Sequence, residues 1–193
     1  SAHFPAGFAA DVHTNLLDKH ISNPDDGNIC LSLDPISSAK PLSSDLLAKL
    51  GDWAASIKLA RLSVTDRGSP MALFAPERAV VSFGKIAISP PPGAFMQATR
   101  DGEAMLQASI AEIAGSDRYV VDLFAGCGTL SLPLLDQVVR LLAVEQNESA
   151  LTALRAGADA AGLGGRVTVK LRNLFDAPLT AQELAGFDMA ILD

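Results

Sequence analysis

The sequence predicts an α/β protein, with a parallel sheet and flanking helices over residues 90–193 and a small α+β region before it, over residues 1–89. Two observations carry this. After the proline-rich turn at 90–93, short apolar runs alternate with segments of helical period, the pattern of a parallel sheet covered by helices. Before that turn the pattern is irregular, with one helical stretch and several short apolar runs. A composition of 49% hydrophobic and 19% charged residues supplies a packed core, and with only 5% aromatics Ala, Leu, Val and Ile must build most of it.

The elements follow in chain order. Residues 22–28 are dense in turn formers. From Ser37 to Ala55 the residues Leu46, Leu47, Leu50, Trp53 and Ala54 mark one helical face. The apolar runs 57–64, 71–75, 79–83 and 86–88, parted by Asp66-Arg67-Gly68 and Gly84, predict an antiparallel meander. Beyond Pro92, Asp101 is placed to cap a helix carrying Met105, Leu106, Ile110 and Ile113. Tyr119–Phe124 reads as a buried strand and Thr129–Arg140 as a helix with Pro133 in its first turn. A strand at Leu141–Val144 and an alanine-rich helix at Glu148–Ala161 follow, the helix ended by Gly162, Gly164 and Gly165. Val167–Leu171 is a third strand. Thr180–Glu183 is a capping box opening a short helix, and Phe187–Leu192 is a fourth strand. Right-handed crossovers put the carboxyl ends of these strands on one edge, where open α/β sheets bind ligands.

Several classes of function are disfavoured. The longest uncharged stretches, 86–99 and 123–135, fall well short of the ~20 apolar residues of a membrane span. The first residues lack the basic and apolar regions of a secretory signal, and Cys30 and Cys127 cannot build a disulfide framework, so a reducing cytoplasmic setting is expected. Net charge is −7, of which −6 lies in residues 94–193, so neither half is a basic body for nucleic acid. An RNA substrate would need a local basic patch or a further region. His3, His13 and His20 share no helical face and have no adjoining metal-ligand motif, so no metal site is expected.

The sharpest motif is Val120-Val-Asp122-Leu-Phe124-Ala-Gly126-Cys-Gly128-Thr129, an apolar strand ending in an acid and turning through Gly-x-Gly toward a helix. Two ligand classes compete for such a loop. A dinucleotide fingerprint would have a third glycine where Ser131 stands, and Asp122 would face an anionic pyrophosphate. S-adenosylmethionine carries a sulfonium and an ammonium, which suit Asp122. Glu145, at the end of the second strand, is placed to accept the ribose hydroxyls. S-adenosylmethionine is favoured, and a plain tight turn is the bland alternative. Asn173, just past the third strand, fits the adenine side of the same pocket or a simple Asx turn. Asp193, at the tip of the fourth strand, fits the methyl-group side or an ordinary polar strand end.

Together, PPGAFMQAT (91–99), DLFAGCGTLSLPL, AVEQN, RNLF and FDMAILD resemble the class I methyltransferases that make 5-methyluridine in RNA. The likeness is greatest to the 23S ribosomal RNA uracil-5-methyltransferase branch as it appears in alphaproteobacteria-like sequences. It covers about residues 90–193, while residues 1–89 resemble that family's central region only loosely. The resemblance implies a Rossmann-like S-adenosylmethionine-dependent methyltransferase sheet and a set of cofactor contacts. Gln97 would reach the cofactor from the segment before the sheet. Phe124 and Thr129 would flank the glycine loop of Gly126 and Gly128, although family members often have Asn where Thr129 stands. Glu145 would bind the ribose, Asn173 would contact the cofactor after the third strand, and Asp193 would open the family's Asp-Pro-Pro motif. Family members attack uracil C6 with a cysteine thiolate, and a base then removes the C5 proton. Both groups lie beyond the Asp-Pro-Pro motif, so no catalytic residue is expected among these 193, and the chain alone is expected to be inactive. The domain is expected to continue past Asp193, and the family's RNA-binding N-terminal barrel is not seen. Cys127 reads as a small turn residue. Cys30 loosely resembles the last cysteine of an iron–sulfur site, but one cysteine cannot hold a cluster, which would require a longer form. The implied partner of the full-length protein is RNA, ribosomal ahead of transfer RNA. Two alternatives stay open: a methyltransferase for small molecules, and a module that binds S-adenosylmethionine without catalysis.

Overall fold

The computed structural model describes residues 16–22, 30–35, 43–66, 69–76, 79–97, 100–116 and 118–192. They form two compact units, divided between Val80 and Val81. In the first, β1 (Leu16–Ser22), β2 (Cys30–Pro35), α1 (Ser44–Ser56), β3 (Arg61–Asp66) and β4 (Ser69–Phe74) follow one another. The sheet order is β1-β2-β3-β4. The β1/β2 and β3/β4 pairs are antiparallel, but β2/β3 is parallel. A parallel pair needs a crossover, and α1 supplies it. The Ser43 hydroxyl accepts the Leu46 amide at 3.2 Å to open this helix. Its buried residues Leu46, Leu50, Trp53 and Ala54 pack with Leu31, Leu33, Leu62 and Val64.

This corrects the expected meander. Strands β1 and β2 were not read from the sequence, and the hairpin of runs 79–83 and 86–88 belongs to the second unit. There β5 (Val81–Phe83) pairs with β6 (Ile86–Ile88) as a separate two-stranded sheet. Val81, Phe83, Ile86 and Ile88 are buried in that unit's core.

The remaining elements are α2 (Arg100–Ala114), β7 (Tyr119–Leu123), β8 (Arg140–Glu145), α3 (Glu148–Ala160), β9 (Val167–Leu171), α4 (Ala181–Leu184) and β10 (Met189–Leu192). The sheet is parallel throughout, in the order β10-β7-β8-β9. One face, with Val120, Leu141, Ala143, Val167 and Ile191, packs against Leu151, Leu154 and Ala158 of α3 and the β5–β6 hairpin. The other, with Val121 and Val144, is covered by Leu174 and the partly buried Leu179, Leu184 and Phe187. Gly157 lets α3 close on β6, since a Cβ there would stand 2.9 Å from the Ala87 carbonyl oxygen.

Two local expectations change. The helix expected over 129–140 is one short 3-10 segment, Leu132–Asp136. The chain turns through 124–131, and Pro133 has no amide to donate, so little length remains before β8. Asp101 is not the cap of α2 but lies in its first turn, where a carboxylate still complements the helix dipole. Among the described residues no helix is long and apolar enough to cross a membrane.

Candidate functional site

Alternation along the strands sets the site. Asp122 pairs with Ala143 in register, and Val120 with Leu141, so Asp122 and Glu145 share the α3 face. Both stand at the carboxyl ends of adjacent parallel strands, and Asp122 is only 2% exposed.

Beyond Leu123 the backbone leaves the sheet through three left-handed residues: Phe124 (φ 63°), Gly126 (φ 51°) and Gly128 (φ 84°). The Ala125 amide donates to the Val144 carbonyl at 3.1 Å, and the Gly128 amide to the Ala125 carbonyl at 2.7 Å. The two glycines serve different ends. A Cβ on Gly128 would stand 2.7 Å from Leu132 Cγ and 2.9 Å from Leu154 Cδ1, so this glycine seats the loop on the core. A Cβ on Gly126 would meet nothing within 4 Å. Glu145 ties the loop to the next strand. Its Oε2 accepts the Gly126 amide at 3.0 Å, and its Oε1 accepts the amides of Gln146 at 2.7 Å and Asn147 at 2.8 Å.

These groups border a cleft of about 300 Å³, at the lower end of the range for small-molecule sites. Gly93, Ala94 and Phe95 line it, as do Asp122, Phe124, Ala125, Gly126, Cys127, Thr129 and Leu130, and Glu145, Gln146, Asn147 and Ala150. Phe124 also meets the exposed Phe175 ring, with centroids 5.0 Å apart. Asn147 caps α3, its side chain accepting the Ala150 amide at 3.2 Å, so a helix N-terminus opens beside Glu145.

Of the residues singled out in the sequence, the structure brings Asp122, Phe124, Gly126, Thr129 and Glu145 together around the cleft. Gly128 is buried and is not among the lining residues. Gln97, half-buried, and Asn173 are not among the lining residues. The Asn173 side chain closes a local turn, accepting the Phe175 amide at 3.0 Å and donating to Asp176 Oδ2 at 2.6 Å. Asp193, His3 and His13 lie outside the described residues. The segment of Gly93, Ala94 and Phe95 was singled out by resemblance but not as lining, and Gln146, Asn147 and Ala150 were missed as lining residues. Their signal was adjacency to Gln97 and to Glu145. Cys127 lines the cleft and is buried, while Cys30 is buried in the first unit's strand β2.

Beyond β9, the Glu183 carboxylate of α4 accepts Lys170 Nζ and Arg172 Nη1, each at 2.6 Å. The Lys170 ammonium, the Thr180 amide and the Arg172 guanidinium hold its carboxyl well below the usual carboxylate range.

No family model matches the chain. It is 44% identical over 138 residues to an uncharacterized RNA methyltransferase of Mesorhizobium japonicum, covering 69% of this chain and 31% of that protein. A second relative, an uncharacterized RNA methyltransferase of Zymomonas mobilis, is 34% identical over 169 residues, covering 88% of this chain and 41% of that protein. A shorter match, 35% identical over 77 residues, covers 38% of this chain and 17% of the 23S rRNA (uracil(1939)-C(5))-methyltransferase RlmD of Cupriavidus necator. The chain spans less than half the length of each of these relatives. Among solved structures, the Pyrococcus abyssi tRNA (uracil-54, C5)-methyltransferase in complex with S-adenosyl-L-homocysteine superposes with a TM-score of 0.60 at 14% identity, covering 93% of this chain and 43% of that one. For TYW2 of P. horikoshii in complex with MeSAdo the TM-score is 0.51 at 20% identity, with 84% and 59% covered. The chain is a relative of part of these bacterial proteins named RNA methyltransferases, and its parallel sheet has the Rossmann-like fold of S-adenosylmethionine-dependent methyltransferases.

Proposed function

We propose that residues 81–193 are the cofactor-binding part of an S-adenosylmethionine-dependent RNA methyltransferase that acts on uracil C5, with 23S ribosomal RNA ahead of transfer RNA as substrate. The observation that carries the reading is the pair of acids at adjacent strand tips, Asp122 and Glu145, bordering one cleft with the glycine loop between them. The donor set fits this cofactor. Two carboxylates suit a ligand with a sulfonium, an ammonium and a ribose diol, and they oppose a pyrophosphate. Glu145 already accepts three amides, and a carboxylate has about four acceptor sites, so it retains capacity for a ribose hydroxyl.

In this reading each residue of the cleft has a defined task. Glu145 fixes the ribose and the loop together. Asp122, buried at its strand tip, offers negative charge to the cationic end of the ligand. Gly126 lets the backbone approach the ligand closely. The ring of Phe124 forms an apolar side of the cleft. The bound cofactor supplies a methyl group activated by its sulfonium. Contacts from Gln97, Asn173 and Asp193 belong to the proposal on the strength of the family resemblance. The uracil-C5 assignment is supported by the GAFMQ segment and by the relative named for that activity.

Deletion of the gene, followed by mass spectrometry of nucleosides from purified RNAs, tests this. Loss of 5-methyluridine from 23S ribosomal RNA, with transfer RNA unchanged, is expected. Unchanged 5-methyluridine in both RNAs would contradict the assignment.

A further inference from the structure

The glycine loop is braced from a helix that contributes nothing to the cleft lining. Gln107, on α2, donates its Nε2 to the Thr129 carbonyl oxygen at 2.8 Å, across 22 positions of sequence. The same Nε2 donates to Glu103 Oε1, one turn earlier on the helix, at 3.2 Å. Glu103 and Gln107 are both half-buried, so the amide sits where its two acceptors hold it. Thr129 and its neighbour Leu130 line the cleft.

The peptide between them is trans and planar, so its carbonyl and its N–H point in opposite directions. Holding the Thr129 carbonyl toward α2 therefore turns the Leu130 N–H away from α2. One side-chain hydrogen bond thus sets the rotation of a peptide that borders the site. A contrasting bond joins the same region to the same helix. Gln137, just after the 3-10 segment, donates Nε2 to the Ala111 carbonyl oxygen at 3.2 Å, and neither residue borders the cleft.

We infer that Gln107 is a positioning residue for the cofactor loop. Through the Thr129 carbonyl it holds the Thr129–Leu130 peptide in the orientation that receives the adenosyl ligand. The inference rests on the reading of the cleft as an S-adenosylmethionine site. Gln107 touches no ligand itself, and its effect passes through the loop backbone.

The test uses the 193-residue chain with S-adenosylhomocysteine as probe, measuring affinity by calorimetry and thermal midpoint by circular dichroism. Gln107→Met keeps the length of the side chain but has no donor. It should weaken binding about three- to tenfold, the equivalent of one neutral hydrogen bond. Gln107→Lys restores a donor at similar reach and should recover most of the affinity. Gln137→Met removes the comparable bridge outside the cleft and should lower the thermal midpoint without changing affinity. Binding by the wild-type chain that is unchanged in Gln107→Met overturns the inference alone. Equal loss of affinity in Gln107→Met, Gln107→Lys and Gln137→Met also overturns it, because the bridge would then be merely structural. No binding by the wild-type chain overturns the reading of the cleft, and the inference with it.

Discussion

The Glu145 carboxylate accepts the Gly126 amide at 3.0 Å, joining the tip of β8 to the turn that leaves β7. Two strands and the loop between them are thereby held by one side chain whose other oxygen takes the Gln146 and Asn147 amides. Glu145→Ala removes three charge-assisted hydrogen bonds at once. It should weaken S-adenosylhomocysteine binding by about 1.5–3 kcal/mol, the range for hydrogen bonds to charged groups, and lower the thermal midpoint. Glu145→Gln keeps one acceptor oxygen and should lose less. Titration calorimetry of both variants checks this, and an unchanged affinity in Glu145→Ala would take the residue out of the site.

The two glycines of the loop should respond differently to alanine. At Gly128 the added methyl overlaps Leu132 and Leu154 in a left-handed backbone, so Gly128→Ala should destabilise the fold by about 2–4 kcal/mol. Gly126→Ala meets open space and carries only the backbone cost of about 1–2 kcal/mol. Its methyl borders the cleft, so its loss should fall more on binding. Urea unfolding of both variants measures the contrast, and equal destabilisation would refute it.

Acid should loosen the contact between β9 and α4. Lys170, Thr180 and Arg172 lower the Glu183 pKa in the folded state. Its contribution is therefore present above the ordinary glutamate range, near pH ~4.3, and fades as pH falls below it. Denaturation midpoints from pH 6 down to about pH 3 should drop more steeply for the wild type than for Glu183→Gln. Parallel slopes would show that the cluster contributes nothing to folding.

The parallel sheet was legible in the sequence because each of its strands is a short apolar run and α3 and α4 begin where their sequences mark it. Thr180 and Glu183 form the capping box that their spacing announces. The pair Asp122 and Glu145 was legible for the same reason, since an acid closing an apolar strand falls at the ligand edge. Strands β1 and β2 were not legible. Their runs, such as Leu16-Leu-Asp-Lys-His-Ile-Ser22, mix charge and apolarity without strict alternation, and the parallel pairing of β2 with β3 joins segments that local pattern does not match. The wall of Gly93, Ala94 and Phe95 was legible only through the resemblance, because an irregular segment has no period to read. Gln107 was hidden because its partner, Thr129, is distant in sequence and offers a carbonyl, a group that every residue carries.

The identity of the nucleotide-type ligand that enters the cleft separates the two ligand classes most directly. Calorimetric titration of the 193-residue chain with S-adenosylhomocysteine and, separately, with NAD measures this. Saturable binding of S-adenosylhomocysteine, with NAD binding far weaker or absent, is the predicted result, since Asp122 and Glu145 place carboxylates where a pyrophosphate would need cations or free amides. Tighter binding of NAD than of S-adenosylhomocysteine would contradict it.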